Sequence, residues 1–561
     1  MGILAHNHGR SGSVNQYLTP DSNQETSNVD VSLDHEMAGL TIYEKKCVLI
    51  NREIDNNGMG RYQWYIWCLC GFGYLLDLLY AQAFGLVLGP LEQEFAFSPA
   101  QSGNISVAFS AGLTAGAFVW GVLVDIVGRK WAFNLTCLIS AAFGLGIGGC
   151  NTYTAFLVVT AFVGFGIGGN IPIDTTICLE FIPQNRRFLL ALLSIFQPIG
   201  VVVTSAIAYG FIPKYSCSPN FSESNPLPSC NTVGSGIRCC SKADNMGWRY
   251  LMFAIGAITL GIFILRFVVF NFQESPKFLV FRGKDDKAIE VLEHIAHVNK
   301  RRCGVTKADF ESLITEEASL NSARELLGSG KAQSQLPLRE KIKIEFARYN
   351  MLFSSVQMTR LTILVWLTYI CDFWGFTLAG EHDSTYLPKI VALKNGQLNL
   401  SLKFTYRSYI AIYGPGIAGV VLGAMMYRVP RIGRQVTMMV SSALMGISIF
   451  IFSAVNTEAS NIGLNVMEYF FQSMFNAVLY GWTPEVFPAP IRGTACGLAS
   501  FWGRLFGIIA PLTAENLLPS NGSADQLEPL KHVLYLAGGV TLGCVLFTGL
   551  LPRSQVGQQS F

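Results

Sequence analysis

The sequence predicts an all-α membrane protein whose twelve transmembrane helices form two pseudo-symmetric six-helix bundles. The first observation is composition: 51% of the 561 residues are hydrophobic and only 14% are charged, whereas soluble domains contain about 25% charged residues. The second is a series of apolar stretches of about 20 residues, the length that an α-helix needs to cross a bilayer. The third is an internal repeat.

The repeat consists of two charged segments that recur at one fixed offset. Glu180–Arg187, with Glu first, Pro fourth and Arg eighth, recurs 305 residues later as Glu485–Arg492. Gly128–Lys130 recurs at the same offset as Gly433–Gln435, with Gly and Arg retained. Accidental similarity between charged loops is the alternative explanation. Because each copy holds an even number of spans, a duplication predicts two bundles of the same orientation, related by an axis along the membrane normal.

The apolar stretches place twelve spans and divide the chain into five regions. The predicted spans lie near 62–89, 101–124, 131–150, 153–174, 189–211, 248–272, 361–382, 408–427, 433–454, 463–484, 494–514 and 531–551. The predicted regions are a cytoplasmic tail with a short amphipathic helix (1–60), the N-terminal bundle (61–272), a cytoplasmic central loop with helices (273–360), the C-terminal bundle (361–552) and a cytoplasmic tail (553–561).

Two helical elements are predicted outside the bundles. Residues 41–56 are typical of a short amphipathic helix. In the central loop, Ala288, Leu292 and Ile295 have helical spacing, which predicts a second amphipathic helix. We expect its apolar face to pack beneath the membrane domain; binding of a partner protein is the alternative.

Both termini are predicted to be cytoplasmic, because the tails, the central loop and the predicted inner loops carry most of the Lys and Arg residues. With this orientation three Asn-x-Ser patterns, at Asn220, Asn399 and Asn521, fall on the outer side and are candidate glycosylation sites. No short apolar segment precedes a cleavage motif near the N-terminus, so no signal peptide is expected. The predicted location is the plasma membrane.

Four cysteines lie in the predicted outer loop 212–247, namely Cys217, Cys230, Cys239 and Cys240. An oxidising outer space would allow two disulfides in this loop. Cys239 and Cys240 are adjacent and should not pair with each other. Two connectivities therefore remain open.

Charged residues that lie near the middle of predicted spans are Asp77, Asp372 and Arg504. A charge at the centre of a transmembrane helix costs about 2.5–3.5 kcal/mol on insertion scales, so each needs a partner or a wet cavity. We hypothesise that Asp77 and Arg504 face a central cavity and bind a solute, a proton or each other. A static ion pair that orders the helices is the alternative.

A polar stripe runs along the tenth span, where Glu468, Gln472 and Asn476 follow one another at intervals of four residues. Together with Gln197 these are candidate solute contacts. Hydrogen bonds that join two helices are the alternative role. Arg266, near the inner end of the sixth span, is expected to extend towards the water interface.

The loops resemble those of the major facilitator superfamily. Asp125 with Gly128–Lys130 is similar to its D-x-x-G-R-K/R signature, and Glu274–Leu279 is similar to the P-E-S-P-R-x-L box of sugar-porter-type members. The segments Gly58–Trp64 and Gly164–Pro183 look most like the synaptic-vesicle-two-related and organic-ion branch. The chain departs from hexose carriers, since the fourth span lacks an intramembrane Arg and the seventh lacks paired glutamines.

By this resemblance, charged loops between helix ends act as latches that open and close one side of the protein. The implied latch residues are Asp125, Gly128, Arg129, Lys130, Glu180 and Arg187 in the N-terminal half, and Gly433, Arg434, Glu485 and Arg492 in the C-terminal half. Such pairs can break and reform at the water boundary. A purely topogenic role of the positive charges is the alternative.

The predicted function is secondary active transport of a small organic solute, either an organic acid, another metabolite or a sugar, by proton-coupled alternating access. A lone Arg504 in an aromatic cavity favours an anionic or amphipathic solute. The expected partners are the lipid bilayer, the solute and protons, with no cofactor, no metal and no nucleic acid, and the protein is expected to be a monomer. A non-transporting sensor of the same fold is the alternative, and the absence of catalytic motifs in suitable context disfavours an enzyme.

Overall fold

The computed structural model describes residues 40–222, 225–234, 236–269, 272–320, 349–379, 402–429, 433–454, 457–488, 491–517 and 527–552. Within these residues the chain is all-α and contains no β-strand. The six spans of the first half are Arg61–Phe95, Pro99–Val127, Arg129–Ile147, Tyr153–Ile167 with Asn170–Phe181, Phe188–Leu192 with Phe196–Phe211, and Gly247–Ile264. Those of the second half are Val356–Ala379, Leu402–Tyr413 with Gly416–Tyr427, Gly433–Phe452, Glu458–Val486, Arg492–Leu517 and Leu527–Gly549.

The described helices include eleven that are long and apolar enough to cross a membrane. The remaining predicted span is the 29-residue helix Glu458–Val486, which carries the polar stripe that lowers its apolar character. The fourth span is interrupted at Gly168 and Gly169, before Pro172. A Cβ on Gly168 would lie 2.2 Å from the carbonyl oxygen of Leu113, so the interruption coincides with very close packing against the second span.

The two halves pack their helices in the same pattern. In each half the first span contacts the fifth, the second contacts the fourth, and the third contacts the fourth and the sixth. The halves meet through the second span against the eleventh and through the fifth span against the eighth. These two contacts are related by the same duplication, so the arrangement of the helices follows the repeat in the sequence.

Helices outside the spans cover one end of the N-terminal half, here named the charged end because Asp125, Arg129 and Glu180 lie there. They are Ile42–Asn57, Pro276–Phe281, Asp285–Val298 and Lys307–Leu320. The apolar face predicted for the central segment is buried, with Ala288 at 0% and Leu292 at 1% exposure. Lys46 joins the first of these helices to the third through a 2.5 Å ion pair with Asp285.

The opposite end is named the disulfide end. Its loop contains Cys217–Cys240 and Cys230–Cys239, one of the two connectivities that remained open. The loop is tied to the first span, because the Gln93 side chain donates to the carbonyl oxygen of Pro219 over 2.9 Å. Asn220 is described in this loop, where its Oδ1 accepts from Ser222. Asn399 and Asn521 lie outside the described residues.

Arg266 does not extend to the interface, so that expectation was wrong. Its side chain is fully buried and pairs with Asp174 over 3.2 Å. It also donates to the carbonyl oxygen of Leu69 and stacks on the ring of Phe133. The buried pair fits because residue 73 is glycine: a Cβ there would lie 1.6 Å from Asp174 Oδ2. Internal partners therefore replace the water that Arg266 was expected to reach.

Candidate functional site

A cavity lies between the two halves and contains about 830 Å³ of space free of protein atoms, part of it open solvent. The polar and charged residues of its lining are Asp77, Ser110, Ser194, Gln197, Asp372, Thr377, Tyr469, Gln472, Ser473, Asn476, Tyr480 and Arg504. The remaining lining is mostly aliphatic and aromatic. Apolar walls with a few convergent polar groups are typical of small-molecule sites.

Asp77 and Arg504 form an ion pair across the cavity. Arg504 Nη2 lies 2.9 Å from Asp77 Oδ1, and the two side chains are 3% and 10% exposed respectively. Arg504 Nε also donates to Ser500 Oγ over 3.1 Å. Because Asp77 belongs to the first span and Arg504 to the eleventh, this contact joins the two halves inside the membrane domain. Each charge would be costly to leave buried without the other.

The polar stripe faces the same cavity from the C-terminal half. Gln472 and Asn476 line it together with Asp372, while Glu468 is buried one turn away along the same helix. Four side-chain oxygens of these residues are buried without a hydrogen-bond partner among the described residues. They are Asp372 Oδ1, Glu468 Oε1, Gln472 Oε1 and Asn476 Oδ1. Gln197 lines the cavity from the N-terminal half.

At the charged end, each half contains an ion pair between the two duplicated motifs. In the N-terminal half Arg129 lies 2.9 Å from Glu180 and 3.9 Å from Asp125. In the C-terminal half Arg434 lies 2.7 Å from Glu485. The sequence repeat therefore corresponds to a repeated Arg–Glu contact at equivalent positions.

Two further contacts at this end cross between the halves. Asp125 Oδ2 accepts from the backbone N–H and the hydroxyl of Thr494, both over 3.0 Å. Arg492 lies 4.0 Å from Glu180 and donates to the carbonyl oxygen of Pro484. The sequence analysis placed each latch within one half of the protein. In the structure, Asp125, Glu180 and Arg492 also contact the opposite half. Arg187 is near enough to Glu485 for their charges to interact.

Close backbone approach accompanies these polar contacts. The second and eleventh spans cross at two glycines, and a Cβ on Gly497 would lie 2.6 Å from the Cα of Gly121. Only glycine allows two helices to approach this closely. The charged end is thus closed between the halves in this conformation.

The turn after the second span depends on backbone geometry. Gly128 has φ +111°, and a Cβ there would lie 2.5 Å from Glu274. Gly433, its counterpart in the second half, has φ +62°. Glu274 accepts from the backbone N–H groups of Arg129 and Lys130 over 3.1 and 3.2 Å. No role for Glu274 was predicted, although it belongs to the Glu274–Leu279 box that was recognised in the sequence.

Burial perturbs two titratable groups in the loop segment that follows the sixth span. Burial raises the pKa of Glu274, and the neighbouring Arg129 lowers it in part. Burial lowers the pKa of Lys277 from its ordinary 10.5 to about 8.

Thr494 and Ser500 are two further residues of the site that were not predicted from the sequence. A lone hydroxyl residue in a span carries no signal of its partner.

The family model described as Major Facilitator Superfamily matches residues 70–511. The chain belongs to this superfamily. It is accordingly a multi-pass membrane transporter, as the resemblance of its charged loops predicted, and members of this superfamily are not enzymes. MFS siderochrome iron transporter 1 of Ceriporiopsis subvermispora (strain B) is 36% identical over 523 residues, 92% of each protein.

Two other similar proteins have lower sequence identity to this chain. Niacin transporter NiaP of Acinetobacter baylyi is 24% identical over 491 residues, 87% of this chain and 94% of that protein. The structure of the proton:xylose symporter XylE bound to 6-bromo-6-deoxy-D-glucose has a TM-score of 0.62 at 16% identity, covering 89% of this chain and 98% of that one. This likeness shows that the chain has the fold of a superfamily transporter.

Proposed function

We propose that this transporter is a secondary active carrier that moves a small organic solute bearing a carboxylate group together with a proton. The observation that carries the proposal is the buried Asp77–Arg504 pair, which joins the two halves across the cavity. A guanidinium is a strong partner for a carboxylate because it can donate two parallel hydrogen bonds. A solute carboxylate can therefore replace Asp77 at Arg504.

The exchange is coupled to a proton through charge balance. When Asp77 takes up a proton it ceases to neutralise Arg504, and the buried guanidinium then needs another anion. A carboxylate solute supplies that anion. Proton and anion together leave the net charge of the site unchanged, so the loaded carrier can reorient without exposing an uncompensated charge to the membrane interior.

Alternating access assigns a role to the contacts at the charged end. The Asp125–Thr494 and Glu180–Arg492 contacts and the Gly121–Gly497 crossing hold that end closed. Opening requires that they separate, while the Arg–Glu pairs within each half remain. In this proposal the charged end and both termini are cytoplasmic, the disulfide end faces the outside of the plasma membrane, Asn220 is the glycosylation candidate on that side, and each monomer transports on its own.

The relatives suggest which solutes to test. One relative is named a siderochrome iron transporter and another a niacin transporter. A panel should therefore contain a ferric hydroxamate chelate, nicotinate, aliphatic monocarboxylates and, as a neutral comparison, xylose. Arg504 favours nicotinate and the other carboxylates over xylose, because a neutral sugar offers no charge to a guanidinium that has lost Asp77.

The test is uptake of radiolabelled panel members into proteoliposomes, with and without an inward proton gradient. We expect the gradient to raise carboxylate uptake and Arg504→Gln to abolish it. Arg407→Gln, at an exposed position, serves as the matched control and should leave uptake unchanged. Carboxylate uptake that is independent of both the gradient and Arg504 would contradict the proposal. Specific binding without uptake would favour the sensor alternative.

A further inference from the structure

We infer that the C-terminal half contains a subsite for a positively charged organic group, formed by Asp372, Glu468 and Gln472. This inference deepens the proposed function: it rests on a solute carboxylate at Arg504 and adds that the preferred solute also carries a cationic nitrogen. The preferred solute class is thus a small zwitterion.

The first support is an excess of hydrogen-bond acceptors. Asp372 is 2% exposed and Gln472 3% exposed, yet each has a buried oxygen without a partner among the described residues. Glu468 and Asn476 have one such oxygen each. Ionised carboxylates offer acceptors alone, whichever way the neighbouring amides are turned. Buried acceptors without donors are costly, so a bound group that donates or carries positive charge would stabilise this cluster.

Charge supports the same conclusion. Asp77 is neutralised by Arg504 over 2.9 Å, whereas Asp372 and Glu468 take part in no ion pair among the described residues. When both are ionised, Asp372 in the cavity lining and Glu468, buried one turn from Gln472, are two uncompensated negative charges. A cationic group of the solute would supply the missing counter-charge.

The surroundings favour an organic cation over a metal ion. No group of three or more His, Cys, Asp and Glu side chains arranged to hold a metal occurs in the described part of the chain. Instead the cavity is lined beside Asp372 by Phe373, Phe376 and Tyr469. Aromatic faces attract alkylated ammonium and similar cations. Ca²⁺ and Mg²⁺ are instead held by shells of oxygen ligands.

The two subsites are close enough to bind one solute. Asp372 lies on the seventh span and Arg504 on the eleventh, and these spans pack against each other. Phe373, the residue after Asp372, has its ring centroid 5.9 Å from the guanidinium carbon of Arg504. All three line the same cavity. One solute bound in this cavity can therefore contact both.

The test compares two probes that differ by one N-methyl group, which gives the ring nitrogen a positive charge. Nicotinate is an anion, and its N-methyl derivative trigonelline is a zwitterion of nearly the same shape. Binding of both is measured with the purified wild-type protein and with Asp372→Asn, and uptake is measured in proteoliposomes. We expect the wild type to prefer trigonelline, and Asp372→Asn to weaken trigonelline about tenfold, which is about 1.4 kcal/mol, with nicotinate changed less than twofold. Glu468→Gln should act in the same direction with a smaller effect.

Several outcomes would overturn the inference. Equal binding of the two probes by the wild type, no binding of trigonelline, or an equal loss of both probes in Asp372→Asn would each contradict it. If Asp372→Asn shifted the pH dependence of binding equally for both probes, Asp372 would be assigned to proton binding instead. Failure of the proposed function is separate: carboxylate uptake would then not depend on Arg504, whatever the ratio between the probes.

Discussion

Gly497→Ala should favour the conformation in which the charged end is open. The added Cβ would lie 2.6 Å from the Cα of Gly121 and 3.0 Å from the carbonyl oxygen of Ala117. Both neighbours are backbone atoms, so relief requires the second and eleventh spans to separate. Overpacking of this kind costs about 1–3 kcal/mol, which shifts the balance between closed and open forms by about 5–150-fold, since every 1.4 kcal/mol or so is tenfold.

The neighbouring thiol provides the assay. Cys496, the residue before Gly497, is 5% exposed, and we expect it to become accessible when the spans separate. The alkylation rate of Cys496, followed by mass spectrometry of the peptide that contains it, should rise about 5–150-fold in Gly497→Ala. Cys544, fully buried elsewhere in the same half, should not change and reports on unfolding.

A matched control is available in the twelfth span. Gly539→Ala adds the same methyl group where no atom lies within 4 Å of the new Cβ. The reasoning is refuted if Cys496 reacts at the wild-type rate in Gly497→Ala, or if Gly539→Ala accelerates it equally.

Three further substitutions test buried charged groups. Glu94→Gln should lower the free energy of unfolding by about 3–5 kcal/mol, measured by thermal unfolding in detergent, because Arg249 loses a carboxylate that it contacts at 2.7 Å; an unchanged melting temperature would contradict this. Gly73→Ala should lower the free energy of unfolding by a similar amount, because the new Cβ displaces Asp174 from Arg266. Unchanged stability of this variant would show that the Asp174–Arg266 pair can shift to accommodate the Cβ. The pKa of Lys277 lies near 8 in the folded protein and near 10.5 when unfolded, so the unfolded chain binds more protons between these values and wild-type stability should rise with pH across that window. Lys277→Met should remove this contribution, and an identical pH dependence in both proteins would be evidence against a buried Lys277.

The sequence predicted the positions of the spans well because apolar length and the 305-residue repeat are local, countable signals. It predicted the burial of Ala288 and Leu292 for the same reason, since helical spacing fixes which face is apolar. The two disulfides were narrowed to two connectivities, and the choice between them depended on how the loop folds. The hydrophobic pattern thus predicted which helices form, whereas it did not predict which cysteines pair.

Partners of charged residues were harder to predict. Arg266 was expected at the interface because its position near a helix end says nothing about Asp174, 92 residues earlier in the chain. At the charged end, Glu274 accepts a hydrogen bond from Arg129 and Thr494 donates one to Asp125. In each case the partner is distant in the sequence. Asp77 and Arg504 were named as a possible pair because an intramembrane charge requires compensation; their separation of 2.9 Å is a property of the folded bundle.

Proton flux driven by a solute gradient tests the central proposal most directly. Proteoliposomes loaded with a pH-sensitive dye receive a gradient of the panel carboxylate that shows the greatest uptake. The wild type and the exposed-site control Asp244→Asn should acidify the lumen as solute enters. Asp77→Asn should not acidify it, because its side chain cannot carry a proton and its empty form leaves Arg504 without a counter-charge. Solute entry into wild-type vesicles without acidification, or unchanged acidification in Asp77→Asn, would contradict exchange of Asp77 for a solute carboxylate at Arg504.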